Sequence, residues 1–373
     1  MPDAAATLEP RSEAGPGQPG TLRVCVIGGT PAHRGGVEAY CERAVAALRA
    51  HAPQIEVSAL AAETAYVRPA SLKRLAAGLG ALVGKRHDLD LVWLQVSNLP
   101  DLLYLGLAHM LGIKVLATPH FGANSRLQRQ GWRRVFCQAM LARADLIGLL
   151  FDGQESEIAL PLAETVTIGT FLPLTAFADA EEAHQSARPL RLVHAARFSE
   201  EKGSFAVLDL CTDLLCRGIP FQAQLIGRAD EATMSEIKAR IAEAGLEAQV
   251  ALPGWLDEAH MQAALRRADV LVHLSAIDSF PLIVLEALAA GTLPVIRDMV
   301  GGRHMVERLG GHVVDSSRPV ADASDWIREL GLAGLREEGA LARGRARDAY
   351  GWPRIVAGLE KAFRRTLRVA GEA

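Results

Sequence analysis

Short, nearly unbroken apolar runs alternate with stretches of three- and four-residue apolar spacing along most of this 373-residue chain, and that alternation limits its fold more than any other feature. Leu22–Ile27, Ile55–Leu60, Leu91–Val96, Ile113–Thr118 and Leu146–Leu150 have the continuous hydrophobicity of strands covered on both faces. Val37–Ala50, Leu99–Leu111 and Trp132–Arg143, between them, carry the helical period. The pattern lapses at Asp179–Pro189, which is polar and aperiodic. It resumes with the strand-like runs Leu190–Ala195, Phe221–Ile226, Gln249–Leu252, Val270–Leu274 and Leu293–Ile296. Strands alternating with helices build parallel sheets from βαβ units. The expected fold is therefore α/β, with two Rossmann-like doubly wound domains at 21–178 and 190–352 joined by a linker at 179–189. Residues 1–20 read as a disordered tail. Pro353–Val369 reads as an amphipathic helix with Leu359, Phe363 and Leu367 on one side, able to cross back to the first domain from the terminal segment 353–373.

Half the residues are apolar and 22% are charged, a globular composition, and the net charge of -3 argues against a nucleic-acid partner. The five cysteines have no CxxC spacing, so they read as small apolar residues or free thiols in a reducing compartment. The first twenty residues lack a signal peptide's basic start and apolar stretch, and no run reaches the length needed to span a bilayer. The expected location is the cytoplasm, with attachment to the inner face of the cell membrane left open. Two basic amphipathic stretches keep it open: Leu72–Arg86, and Arg126–Arg134 around Trp132. Helices packed on the sheet with solvated charges are the competing reading. Asp88-Leu89-Asp90 has the form of a metal-binding acidic triplet, but it precedes the amino end of a strand. No metal-ligand spacing occurs elsewhere.

Two constellations stand out in the second half. In the first, the run Leu190–Ala195 leads into Arg197-Phe198-Ser199-Glu200-Glu201-Lys202-Gly203 and a helix. Two cations beside a helix amino terminus, beyond the carboxyl end of a strand, suit a diphosphate. Lysine occurs at six positions in the whole chain, so Lys202 is conspicuous. The plainer reading pairs both cations with Glu200, Glu201 or Asp209. The second constellation is Asp278-Ser279-Phe280-Pro281-Leu282, with Glu286 and Gly291 following. Ser279 is the expected N-cap, Pro281 a first-turn residue and Gly291 the helix stop. Glu286 has no charged residue three or four positions away, and a carboxylate in apolar surroundings needs hydrogen-bond donors. A ribose diol would supply them; a solvent-facing position would remove the need.

In the first half, Leu22–Ile27 leads to the glycine-rich segment 28–36, where Gly35 and Gly36 permit close backbone approach to a ligand. The spacing is not that of a dinucleotide fingerprint. His120 follows the carboxyl end of a strand, where substrates meet such a sheet, and Asn124 and Arg126 come shortly after it.

Arg197 with Lys202 five residues on, Asp278 and Glu286 eight apart, and then Val300-Gly301-Gly302 resemble the retaining GT-B glycosyltransferases related to glycogen and sucrose synthases (family 4). The resemblance implies two Rossmann-like domains facing each other across a cleft, and sugar transfer from a nucleoside-diphosphate sugar to a hydroxyl with retained configuration. It implies no further cofactor and no metal. The acceptor it implies is lipid-linked or polysaccharide, in cell-envelope glycan synthesis. Arg197 and Lys202 would hold the diphosphate and stabilise the leaving charge, and Glu286 would hold the ribose. His120 and Asp278 would lie beside the donor sugar, with the backbone of Phe280–Leu282 offering amides. The Gly35-Gly36 loop would sit near the diphosphate and acceptor, and Asn124 and Arg126 would contact the acceptor. The chain departs from the family's pattern at Asp278, where glutamate is usual, and at Pro281, where glycine is common. Two other readings remain: a nucleotide-sugar epimerase of the same architecture, which would exchange the proton at the sugar's second carbon, and a catalytically silent nucleotide-binding partner protein.

Overall fold

A computed structural model describes residues 21–29, 36–64, 69–178 and 188–368. The proposed tail at 1–20, Gly35, most of the linker and Val369 lie outside the described residues.

Among the described residues twelve strands form two six-stranded sheets, and every pairing is parallel. The first sheet contains β1 (Leu22–Ile27), β2 (Ile55–Leu60), β3 (Leu91–Val96), β4 (Lys114–Pro119), β5 (Leu146–Leu149) and β6 (Thr165–Thr167), in the order β2-β1-β3-β4-β5-β6. The second contains β7 (Leu190–Ala195), β8 (Phe221–Ile226), β9 (Val250–Gly254), β10 (Val270–His273), β11 (Leu293–Ile296) and β12 (His312–Val313), in the order β12-β11-β10-β7-β8-β9. The expected α/β pair of doubly wound sheets is what the chain forms. β6 and β12 were not expected: strands of three and two residues at sheet edges are too short to carry a readable apolar pattern. β9 runs past its apolar core to Gly254 because its pairing with β8 slips register between Gln224 and Ile226.

The chain winds outward from β1 to β2 and then returns to the far side of β1 as β3. In the second sheet it reverses in the same way between β7 and β10. Loops at such reversals diverge and leave a crevice beyond the strand carboxyl ends. The helix Trp352–Arg368 joins the two halves. Phe363 packs its ring 5.5 Å from Trp93 of β3, and Trp352 donates from Nε1 to the carbonyl of Leu172 at 2.7 Å. Leu359 and Phe363 are buried and Leu367 is half-buried, as the amphipathic spacing requires. At the end of the linker, Arg188 makes a bidentate pair with the buried carboxylate of Asp269, at 2.7 and 2.8 Å.

Candidate active site

Between the carboxyl ends of the two sheets lies a cleft of about 1140 Å³ with residues of both on its walls. From the first sheet come Gly36, Tyr40, His120, Asn124, Arg126 and Arg129; from the second come Glu201, Asp278, Ser279, Phe280 and Leu282. Seven of the residues singled out from the sequence thus meet here: Gly36, His120, Asn124, Arg126, Asp278, Phe280 and Leu282. Lys202, Glu286 and Arg197 do not line this space. The cleft is narrow where the walls meet. Phe151 and Phe280 stack face to face at 4.7 Å, and the hydroxyl of Ser279 donates to Glu157 of the first domain. Ser279 is therefore not the expected N-cap. Pro281 takes that position, ahead of a helix at Leu282–Ala290 that Gly291 closes at φ +88°. A side chain at Gly122 would collide with Ser279 at 2.4 Å, so its missing Cβ admits the opposite wall.

Behind the second wall, Lys202 is tied to Asp278, which lines the cleft. Lys202 leaves its loop just before Gly203, whose φ of +75° starts the helix Ser204–Cys216. A Cβ on Gly203 would stand 2.4 Å from the carbonyl oxygen of Leu274, so only glycine lets this turn press against the end of β10. Lys202 Nζ then reaches Asp278 Oδ1 at 2.5 Å, and His273 Nε2 lies 2.9 Å from Asp278 Oδ2. Burial disfavours the carboxylate's charge, but the hydrogen bonds from His273 and Lys202 outweigh it and hold Asp278 well below the usual carboxylate range. The shorter side chain at this position is thus already bridged to the cation. Of the pairings weighed from the sequence for Lys202, none forms. Arg197 is exposed and has no ion-pair partner among the described residues.

The sequence signalled His273 only faintly, as a polar residue ending an apolar strand. It signalled Arg228 and Trp255 not at all. The Arg228 guanidinium lies 5.0 Å over the half-exposed Trp255 ring, and the Arg228 carbonyl accepts from the Phe198 amide at 2.9 Å. This flat cation–aromatic surface therefore adjoins the Arg197 loop.

Glu286 shows how far residue spacing can mislead. It is 9% exposed, and neither water nor a ligand is needed to satisfy it. Arg43, on the first domain's helix Gly36–His51, pairs with Oε1 at 3.2 Å, and Gln262 donates to Oε2 at 3.0 Å. Arg43 also reaches Glu258 at 2.9 Å. No charged partner lies within helical spacing, as the sequence indicates, but the expected solvent-facing or ligand-satisfied alternatives give way to partners 243 and 24 residues away. Burial raises the Glu286 carboxyl above its ordinary range, and Arg43 works against that rise. Each carboxylate oxygen keeps a second lone pair, so the group is satisfied but not saturated.

On the first wall, His120 Nε2 lies 2.8 Å from Gln95 Oε1, and the Tyr40 ring meets it edge-on at 4.7 Å. Gln95 donates its amide to the Trp93 carbonyl, which turns its oxygen toward the histidine. Nε2 is then the protonated nitrogen. Burial pushes the His120 pKa down to about 3, so the imidazole is neutral and acts through hydrogen bonds, not charge. Gln95, the one polar residue in the continuous run of β3, was the available signal.

His194 is likewise lowered to about 4, chiefly by burial, and is held between Val272 and Ser204. Both histidines stay neutral when folded, whereas the unfolded chain protonates them near pH 6.5. Below that pH the unfolded state binds more protons, so stability falls as pH drops from 6.5 toward 4. The slope approaches about 1.4 kcal/mol per pH unit for each histidine. Unfolding midpoints measured between pH 7 and 4.5 should therefore decline less steeply for His194→Gln than for the parent chain. Equal slopes would remove His194 from the account.

Among the described residues, no group of three or more His, Cys, Asp or Glu side chains is placed to hold a metal ion. Asp88 and Asp90 lie at the amino end of β3, where Asp90 pairs with Arg23 at 2.9 Å. They are away from the cleft.

Comparison with known proteins agrees with this fold. The model of the family described as "Glycosyl transferases group 1" matches residues 178–332. The phosphatidyl-myo-inositol mannosyltransferase of Mycolicibacterium smegmatis is 27% identical over 291 residues, 74% of this chain and 71% of that protein. The GDP-mannose:cellobiosyl-diphosphopolyprenol alpha-mannosyltransferase of Xanthomonas oryzae pv. oryzae is 26% identical over 141 residues. That match spans 38% of this chain and only 37% of that relative's length. The crystal structure of Anabaena Alr3699/HepE in complex with UDP-glucose superposes with a TM-score of 0.71 at 16% identity, covering 92% of this chain and 99% of that one. At that identity the likeness establishes the fold. Residues 178–332 thus match the glycosyl transferases group 1 model, within a chain of GT-B fold.

Proposed function

We propose that this protein is a retaining hexosyltransferase that moves a sugar from a nucleoside-diphosphate donor to a hydroxyl of a lipid-linked or polysaccharide acceptor in cell-envelope glycan synthesis. The observation that carries the reading is the cleft itself. Asp278 on one wall, backed by Lys202 and His273, faces the neutral His120 on the other, at the carboxyl ends of two doubly wound sheets. Lys202, with Arg197 free on the rim, would neutralise the diphosphate as it leaves. Glu286 would accept from the ribose alongside Arg43 and Gln262, and the base would lie against Trp255 and Arg228. Asp278 and His120 would hold the sugar hydroxyls, and the Phe280 and Leu282 amides would reach the sugar or phosphate. Gly36, Asn124 and Arg126 stand on the acceptor side.

Departure of the diphosphate leaves an oxocarbenium-like sugar. The same phosphate oxygen can then take the acceptor's proton, so the new bond forms on the face the leaving group vacated. Catalysis on this reading comes from positioning and from cations placed at developing charge. It needs no metal, so slow donor hydrolysis should persist in EDTA.

A melting-temperature panel with UDP-, GDP- and ADP-sugars tests the donor site without knowledge of the acceptor. A donor at a hundred times its Kd should add about 2.7 kcal/mol, or about 3 °C for a chain of this size. No shift with any nucleotide sugar, together with no donor hydrolysis, would overturn the reading.

A further inference from the structure

Three helices pack side by side over the outer face of the first sheet: Pro69–Gly84, Leu102–Met110 and Gly131–Leu141. Their inner sides hold the core with Leu75, Leu82, Leu105, Cys137 and Leu141. Their outer sides are unusual in two independent ways. The first is charge. About one residue in nine of the whole chain is acidic (43 of 373), yet residues 102–144 include no aspartate or glutamate. That stretch carries Lys114 and five arginines, and residues 69–87 carry four cations and no acid. Lys73, Lys85, Arg126, Arg129 and Arg134 have no carboxylate partner among the described residues. The second is apolar exposure. Leu72 (51%), Leu103 (52%), Met110 (77%), Trp132 (63%), Val135 (62%) and Phe136 (46%) stand out from these same helices. Arg133 lies 5.2 Å over the Trp132 ring, so cation and aromatic form one protruding surface.

We propose that this three-helix face docks on an anionic lipid bilayer. Large side chains projecting among unpaired cations suit the boundary between headgroups and acyl chains, where apolar surface is buried and basic residues meet anionic lipid. A second copy of the chain is a poor occupant, because apposing two such faces would bring like charges together. The face is also continuous with the cleft. Arg126 and Arg129 line its acceptor side and precede the helix that bears Trp132, Arg133 and Arg134. A lipid-linked acceptor would then approach from the membrane plane along this rim; this extends the transferase reading and rests on it. Among the described residues no helix is long and apolar enough to cross a membrane, so the contact would be superficial.

The test is flotation of the full chain with vesicles, in the absence of donor and acceptor. Binding is expected to vesicles of 70% phosphatidylcholine and 30% phosphatidylglycerol, to weaken as salt rises, and to be weak with phosphatidylcholine alone. Each basic residue near such a surface multiplies the partition coefficient by about five. K73Q/R133Q/R134Q should therefore lower it about a hundredfold. W132A/F136A should lower it while leaving the melting temperature and the donor-induced shift unchanged, which shows that the variant is folded. No binding by the parent chain, or undiminished binding by both variants, overturns the proposal. So does equal capture by an RNA homopolymer that W132A/F136A does not weaken, which would assign the face to simple polyanion attraction. The donor-induced shift reports on the transferase reading separately, so the two can fail independently.

Discussion

Lys202→Ala is expected to lower sugar transfer, and donor hydrolysis with it, by about 100- to 1,000-fold, which is the usual effect of removing one group that meets charge developing in a transition state. The side chain is already positioned: Nζ lies 2.5 Å from Asp278 Oδ1, on a turn that Gly203 holds against the end of β10. Removing it also takes from Asp278 one of the two hydrogen bonds that keep its pKa low. Lys202→Arg retains charge without the point geometry of an ammonium, so it should recover part of the loss. The larger share of the effect should appear in kcat, since the charge on the leaving diphosphate grows toward the transition state. An equal loss with Arg197→Ala is not expected, because Arg197 is solvent-exposed and does not line the cleft. If Lys202→Ala hydrolysed the donor at the parent rate, the assignment of this wall to the diphosphate would be wrong.

The parts of this site that were legible in the sequence share a physical origin. Lys202, Asp278 and Gly291 sit where an element ends, and ends carry local signals: a cation after an apolar strand, a carboxylate before a helix, a glycine that accepts positive φ. The sheet was legible for the same reason, since strands such as β3, with all six residues buried, need continuous hydrophobicity. What stayed hidden depends on contacts between distant segments. Ser279 has every local property of an N-cap, yet its hydroxyl is drawn to Glu157 across the cleft. His273 is a partner of Asp278 only because β10 ends beside it. Arg43 is one arginine among many along the chain until the second domain brings Glu286 to it. Closure of one domain on the other produced the Ser279 and Arg43 contacts, and closure leaves no periodic trace.

That closure makes Arg43→Ala strongly destabilising although Arg43 lies outside the hydrophobic core. Arg43 and Glu286 are 13% and 12% exposed at their side chains, so removing the arginine leaves a buried carboxylate with Gln262 as its remaining donor. Breaking such a pair by deleting one partner costs about 3 kcal/mol or more, although the pair itself is worth much less than that against an apolar substitute. The pH dependence identifies the cause. Burial already raises the Glu286 pKa, and loss of Arg43 removes a lowering influence, so its folded value rises further above the unfolded one. A group raised in this way is fully compatible with folding when protonated and costs stability as pH climbs through its folded pKa. The Arg43→Ala deficit should therefore be largest near pH 7 and shrink as pH falls. Glu286→Gln added to Arg43→Ala should restore most of the loss at pH 7, since an amide needs no counter-ion. Denaturant unfolding of the four members of this cycle at pH 7 and pH 5 measures both effects. A deficit below about 0.5 kcal/mol at pH 7, or a double variant no more stable than Arg43→Ala alone, would mean that solvent screens Glu286 and that the domains are held together elsewhere.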